Sequence, residues 1–245
     1  MSGHSKWSTI KHKKAALDSK RGRLFTRLIK EITVAAKMGG GDLDGNPRLR
    51  SAVAEAKAGN MPADNIKRAI QKGTGELPGV TYDEVTYEGY GPGGIAVLLQ
   101  TLTDNRNRTT AEIRHVFAKH GGNLGETNSV AWMFERKGTF VVPRSAADDD
   151  RLLEIVLEAG GDDVRSDGDT FEILASPEAY EAVRKALEDG KVKIESSELG
   201  MHPKISVHLE GKKAQQSLSL MEALEDQEDV QKVSANFDID ESELE

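Results

Sequence analysis

Apolar residues recur at 3.6-residue spacing up to Gly79 and at two-residue spacing beyond it, so the chain must fold as a helical unit followed by sheet-containing ones. Upstream, Leu24, Phe25, Leu28, Ile29 and Ile32 make one stripe, while Arg23, Arg27, Lys30 and Lys37 project almost opposite. The first helix is therefore expected to carry a core face and a cationic face. It stops at Gly39-Gly40-Gly41. Asn46-Pro47 then supplies an N-cap and a proline at the first helical position for a second helix, Arg48 to Ala58, and a third runs from Pro62 to Gly73. Three short helices with short connections predict a small helical domain over residues 23–78.

Downstream, Val85 to Glu88 and Ile95 to Leu102 read as strands around the turn Gly91-Pro92-Gly93-Gly94. Thr109-Thr110-Ala111-Glu112 is a capping box opening a helix to His120, and a strand follows from Ser129 to Glu135. A β-α-β-α-β succession comes next: strand Thr139 to Pro143, helix Asp149 to Ala159, strand Thr170 to Leu174, helix Pro177 to Leu187, and a strand region from Val192 that resumes over Ile205 to Leu209. A last helix, Ala214 to Leu224, and a last strand, Val230 to Ile239, form a fragment that would complete the first α/β domain and make the middle one an insertion. The expected fold class is α+β and multidomain: a three-helix domain and two small split α/β domains of ferredoxin-like type, the third inserted in the second. The expected division is a basic arm over 1–22, the helical domain over 23–78, a discontinuous α/β domain over 79–136 and 210–240, and the inserted domain over 137–209.

Charge is distributed as unevenly as periodicity. Residues 1–72 hold 16 Lys and Arg against 6 Asp and Glu, a net +10, whereas the remainder holds 17 against 35, a net −18, which together give the chain its −8. A dense cation cluster gains by releasing counterions from polyanionic phosphate, while an acidic body is repelled by it. The arm and first helix are thus expected to bind nucleic acid through Lys6, Lys11, Lys13, Lys14, Lys20, Arg21, Arg23, Arg27 and Lys30, with Trp7 and His12 interleaved for stacking. Arg106 and Arg108 precede the expected helix start at Thr109 and form a candidate second anion site; equally, Asp104 pairs with an arginine there and the asparagines cap turns.

Other chemistries are disfavoured residue by residue. Gly89, Gly91 and Gly94 fit a dinucleotide fingerprint, but a β-rich run follows where a helix is required. Asp42-Leu43-Asp44-Gly45-Asn46 starts like a calcium loop, yet Pro47 and Val53 occupy the positions needing glycine and glutamate. The six histidines lack metal-ligand spacing, and no nucleophile elbow or phosphate-binding lysine loop is present. No cofactor, metal, small-molecule substrate or catalytic activity is expected. With no cysteine, no signal-like apolar run and no membrane-span-length stretch, a cytoplasmic location without a membrane partner is the expectation; oligomeric state is left open.

Several runs together resemble the YebC/PmpR family, whose members include a mitochondrial translational activator of cytochrome c oxidase. They are Met1-Ser2-Gly3-His4-Ser5-Lys6-Trp7, Lys11-His12-Lys13-Lys14, Lys37-Met38-Gly39-Gly40-Gly41, Asn46-Pro47-Arg48-Leu49-Arg50, Tyr87 to Gly94 and Thr103 to Thr109. The match extends in order to Asn236-Phe237-Asp238-Ile239. The resemblance implies the helical domain and nested α/β pair already described, no catalysis, and one of two roles: a DNA-binding transcriptional regulator, or a ribosome-associated factor easing difficult translation. The ribosomal role is the leading expectation, because structured RNA is recognised by shape and backbone. Promoter DNA is the first alternative. A protein-interaction module with a solubilising basic arm is the alternative of another class.

Overall fold

The computed structural model describes residues 18–239. Helices α1 (Asp18–Gly39), α2 (Pro47–Ala58) and α3 (Ala63–Thr74) form the helical unit around Leu28, Ile32, Ala35, Leu49, Val53 and Ile66. Helix α1 starts five residues before the expected Arg23. Asp and Ser are residue types that suit a helix start, where unpaired N–H groups and the helix dipole favour them. Asn46 caps α2 as expected: its Oδ1 accepts the Leu49 N–H at 3.1 Å, and its Nδ2 donates to the Ala35 and Gly40 carbonyls, both at 2.8 Å. One buried amide thereby fastens the end of α1 to the start of α2.

The second unit contains β1 (Asp83–Tyr90), β2 (Ala96–Thr103), α4 (Arg106–Lys119) and β3 (Asn123–Leu124), and is completed much later by β8 (Val207–His208), α7 (Gly211–Glu225), β9 (Val230–Ala235) and β10 (Phe237–Asp238). Its antiparallel sheet runs β3-β1-β2-β9, so the last long strand returns beside β2. Val97 and Leu99 pack with Ile113, Phe117, Leu220 and Leu224 of α4 and α7, while Ala96 and Leu98, alternating to the other face, pack with Val130 and Phe134. The glycine run is a turn, as expected: Gly93 takes φ 78°, and the Gly91 N–H donates to the Ile95 carbonyl at 2.8 Å just before β2.

Between them lies a βαββαβ unit: β4 (Phe134–Pro143), α5 (Asp149–Glu158), β5 (Gly161–Asp167), β6 (Thr170–Ala175), α6 (Tyr180–Asp189) and β7 (Ser196–Pro203), with sheet order β5-β6-β4-β7, all antiparallel. The architecture is α+β, with this third unit inserted in the second. Of the expected strand Ser129 to Glu135 only Phe134 and Glu135 are extended, since Ala131–Met133 forms a 3₁₀ turn; they continue without interruption into the expected strand Thr139 to Pro143 as β4. Within β4 Gly138 lies under the Tyr180 ring, where a Cβ would stand 2.3 Å from a ring carbon; Tyr180 stacks on Phe140 at 4.8 Å. Strand β5 went unanticipated: a polar edge strand of sequence Gly161-Asp-Asp-Val-Arg-Ser-Asp167 carries almost no apolar alternation. Among the described residues no helix is long and apolar enough to cross a membrane.

Candidate nucleic-acid interface

Part of the cationic stripe of α1 is taken up within the fold. Lys30, expected to face phosphate, is 4% exposed, and its Nζ donates to Asp229 Oδ1 at 2.6 Å and to the Glu228 carbonyl at 3.2 Å. Arg23 pairs with Asp226 at 3.2 Å. The acidic turn between α7 and β9, Asp226 to Asp229, therefore takes up two of the four stripe cations, because an ammonium removed from water must be met by a carboxylate. Lys30 also lies 5.6 Å from the centre of the Tyr82 ring. Arg48 adds a third ionic tie, bridging Glu31 of its own domain and Glu84 of β1; the hydrogen bond with Glu31, then the remaining carboxylate charge, raises its pKa further against the opposing effect of burial.

Asp229 reaches into the second domain as well. Its Oδ2 accepts from Arg108 Nη2 at 2.7 Å and from Thr109 Oγ1 at 2.6 Å, and its carbonyl accepts the Leu102 N–H at 2.9 Å. Burial pushes this carboxyl upward, but the hydrogen bonds from Lys30, Thr109 and Arg108 outweigh it and hold its pKa at about 2. At the candidate anion site both arginines already hold carboxylate partners. The cap of α4 is Asn105, whose Oδ1 accepts the Arg108 N–H at 3.1 Å, and Thr109 is buried one turn inside instead of capping. Arg108 is further tied to Asp104 at 2.9 Å, and Arg106 to Asp83 at 2.9 Å. The arginines are matched by carboxylates, and an arriving phosphate would have to displace them.

Of the remaining sequence candidates, Lys6, Trp7, Lys11, His12, Lys13 and Lys14 lie outside the described residues; Lys20 and Arg21 fall in the first turn of α1. Arg27 is partly exposed, with no ion pair among the described residues. Lys37, on the expected cationic face, is exposed, and the helical domain adds Lys57, Lys67, Arg68 and Lys72, which the density of the arm had overshadowed; all five carry no ion pair among the described residues. Lys37 and Lys72 line one concavity of about 210 Å³ with Thr33, Gly73 and Tyr82, where α1, α3 and the segment leading to β1 meet. The signal for Lys67, Arg68 and Lys72 lay in the amphipathic pattern of α3, whose polar face carries them away from buried Ile66 and Ala69.

Residues 5–76 match the family model of the TACO1/YebC protein N-terminal domain, and residues 82–237 match that of the TACO1/YebC second and third domain. The chain belongs to the TACO1/YebC family. It is 60% identical over 245 residues to a probable transcriptional regulatory protein of Koribacter versatilis, covering 100% of this chain and 98% of the relative. A protein of the same description from Desulforapulum autotrophicum is 58% identical over 239 residues, covering 98% and 97% of the two chains. The crystal structure of a conserved hypothetical protein from Aquifex aeolicus superposes with a TM-score of 0.82 at 48% identity, covering 95% of this chain and 96% of that one. The two TACO1/YebC models meet between residues 76 and 82, in the segment joining α3 to β1. The Koribacter and Desulforapulum relatives of this TACO1/YebC chain carry the names of regulators, not of enzymes.

Proposed function

We propose that this chain is a nucleic-acid-binding regulator of gene expression that acts without catalysis, its helical domain and N-terminal arm supplying the phosphate contacts. One observation carries the reading: exposed cations without carboxylate partners gather on the helical domain, while Arg106, Arg108 and Lys30 are matched internally. Binding through such groups depends on salt and sets affinity before sequence. Duplex DNA is the favoured target. Helices α2 and α3 are joined by four residues, 59–62, with Asn60 in the left-handed region, and α3 exposes Lys67, Arg68 and Lys72. A short turn joining two helices is how DNA readers present a recognition helix, and the relatives' names speak of transcription.

The ribosomal reading stands second, favoured by the weight of phosphate-seeking lysines over base-reading groups, which suits structured RNA. The deciding experiment crosslinks the full-length chain in cells and sequences the recovered nucleic acid. Chromosomal DNA in excess supports the transcriptional reading, and ribosomal RNA in excess the translational one. Recovery of neither, with no salt-dependent binding of the purified chain to DNA or RNA, would leave the protein-interaction alternative.

A further inference from the structure

We infer that the junction of the second and third domains carries a stacking platform for an unpaired RNA base, built on Trp132 with Lys204 beside it. Trp132 is 63% exposed on the 3₁₀ turn that leads into β4. Its indole is tethered all the same: Nε1 donates to the Ser129 carbonyl at 3.1 Å, and that carbonyl also accepts the Tyr90 hydroxyl at 3.1 Å. The turn is fastened from beneath. Buried Glu88 accepts the backbone N–H groups of Asn128, Val130 and Ala131 at 2.6, 2.7 and 2.7 Å, while Val130 and Phe134 pack on Ala96 and Leu98. Burial raises the Glu88 pKa, but the three N–H groups outweigh it and hold the carboxyl below its ordinary value. A buried carboxylate thus fixes a turn that holds a large aromatic side chain in water.

The partner's chemistry follows from what the ring has left to offer. An interfacial tryptophan commonly places its N–H on a partner; here Ser129 already takes it, which leaves a flat π-surface that accepts any base. Lys204 supplies the matching charge, its Nζ donating to the Trp132 carbonyl at 3.0 Å and its own N–H to the Met133 carbonyl at 2.9 Å. A duplex hides its base faces, whereas RNA loops present them. The inference rests on the nucleic-acid reading above and takes its RNA branch.

The test uses the full-length chain. With Trp7→Phe leaving Trp132 as the sole indole, a short single-stranded RNA should quench its emission. In the wild-type background, Trp132→Ala should weaken single-strand binding by roughly tenfold, with duplex RNA changed by less than about twofold. Trp132→Phe should restore most of the affinity and Lys204→Gln should flatten the salt dependence, which Trp132→Ala leaves unchanged because no charge is lost. Wild-type single-strand affinity in Trp132→Ala together with unquenched Trp132 emission overturns the platform and leaves the nucleic-acid reading standing. Absence of any binding by the wild-type chain overturns both. Melting temperatures guard against misfolding; should Trp132→Ala be destabilised, Trp132→Leu, which keeps apolar bulk but no ring face, carries the test, and wild-type single-strand affinity or an equal binding loss to single strand and duplex in that variant counts against stacking.

Discussion

Lys30 and Asp229 stand 199 residues apart in the sequence and 2.6 Å apart in the fold, in the seam where the helical domain meets the second domain. Each is nearly sealed from water, and Asp229 also holds Arg108 and Thr109. A buried pair contributes less than its geometry suggests while both partners are present, yet stranding one of them is expensive. Asp229→Ala is expected to destabilise the protein by about 3–5 kcal/mol in urea unfolding, and Lys30→Met by a comparable amount. The double change Lys30→Met with Asp229→Leu should recover a large part of the loss. Equal losses in the double and single variants would show that desolvation does not govern the seam.

The same carboxylate predicts an acid response. Its pKa is held at about 2, below the ordinary 3.8, so the stabilisation is present above about pH 4 and fades as pH falls toward 2. The difference is worth about 2 kcal/mol, and Asp229→Asn should flatten that part of the stability–pH curve. A wild-type slope in the variant between these pH values would assign acid sensitivity to other carboxylates.

Arg106 and Arg108 should respond unequally. Arg106→Gln removes one exposed pair with Asp83 and is expected to change stability by less than about 0.5 kcal/mol, whereas Arg108→Gln withdraws a partner from buried Asp229 and should cost about 2 kcal/mol or more. Differential scanning calorimetry of the two variants checks the ranking. Equal shifts would mean that the Asp229 contact adds nothing.

Phosphate binding should reside in the helical domain and the arm. Replacing Lys67, Arg68 and Lys72 together with glutamine is expected to reduce the slope of log affinity against log salt for duplex DNA by up to about 3, roughly 0.9 per lost contact, without lowering the melting temperature. Neutralising Lys11, Lys13 and Lys14 should reduce it similarly. Unchanged slopes in both variants would move the interface away from this domain.

Glu88→Gln should loosen the turn at Asn128 to Ala131. The amide keeps one acceptor oxygen where the carboxylate used two, so a cost of about 1–3 kcal/mol and a red-shifted Trp132 emission are expected.

The local features were the most legible. The Asn46-Pro47 helix start, the Gly91 to Gly94 turn and the nested order of the α/β units all follow from neighbouring residues and periodicity. What stayed hidden depends on contacts between distant residues. The charged stripe of α1 was visible, but no local signal says that Lys30 meets an acidic turn 199 residues away instead of solvent. Thr109 looked like a cap because its capping box is well formed, yet Asn105 outranks it by taking the Arg108 N–H, and Asp229 draws Thr109 inward. The residues 136–138 left between two expected strands belong to β4, and the requirement for glycine at Gly138 comes from the ring of Tyr180, on a helix forty residues on.

The inserted unit enters through β4 and leaves through β7, and these strands are hydrogen-bonded neighbours from Phe134 opposite Pro203 to Val141 opposite Ser196. Entry and exit therefore occupy adjacent points in space, and joining Arg136 to Met201 through a tight turn would convert the neck into a hairpin without moving either end. Such a doorway lets an ancestral chain gain or shed a whole module in one genetic event, and it offers protein engineers a ready position for grafting a foreign domain.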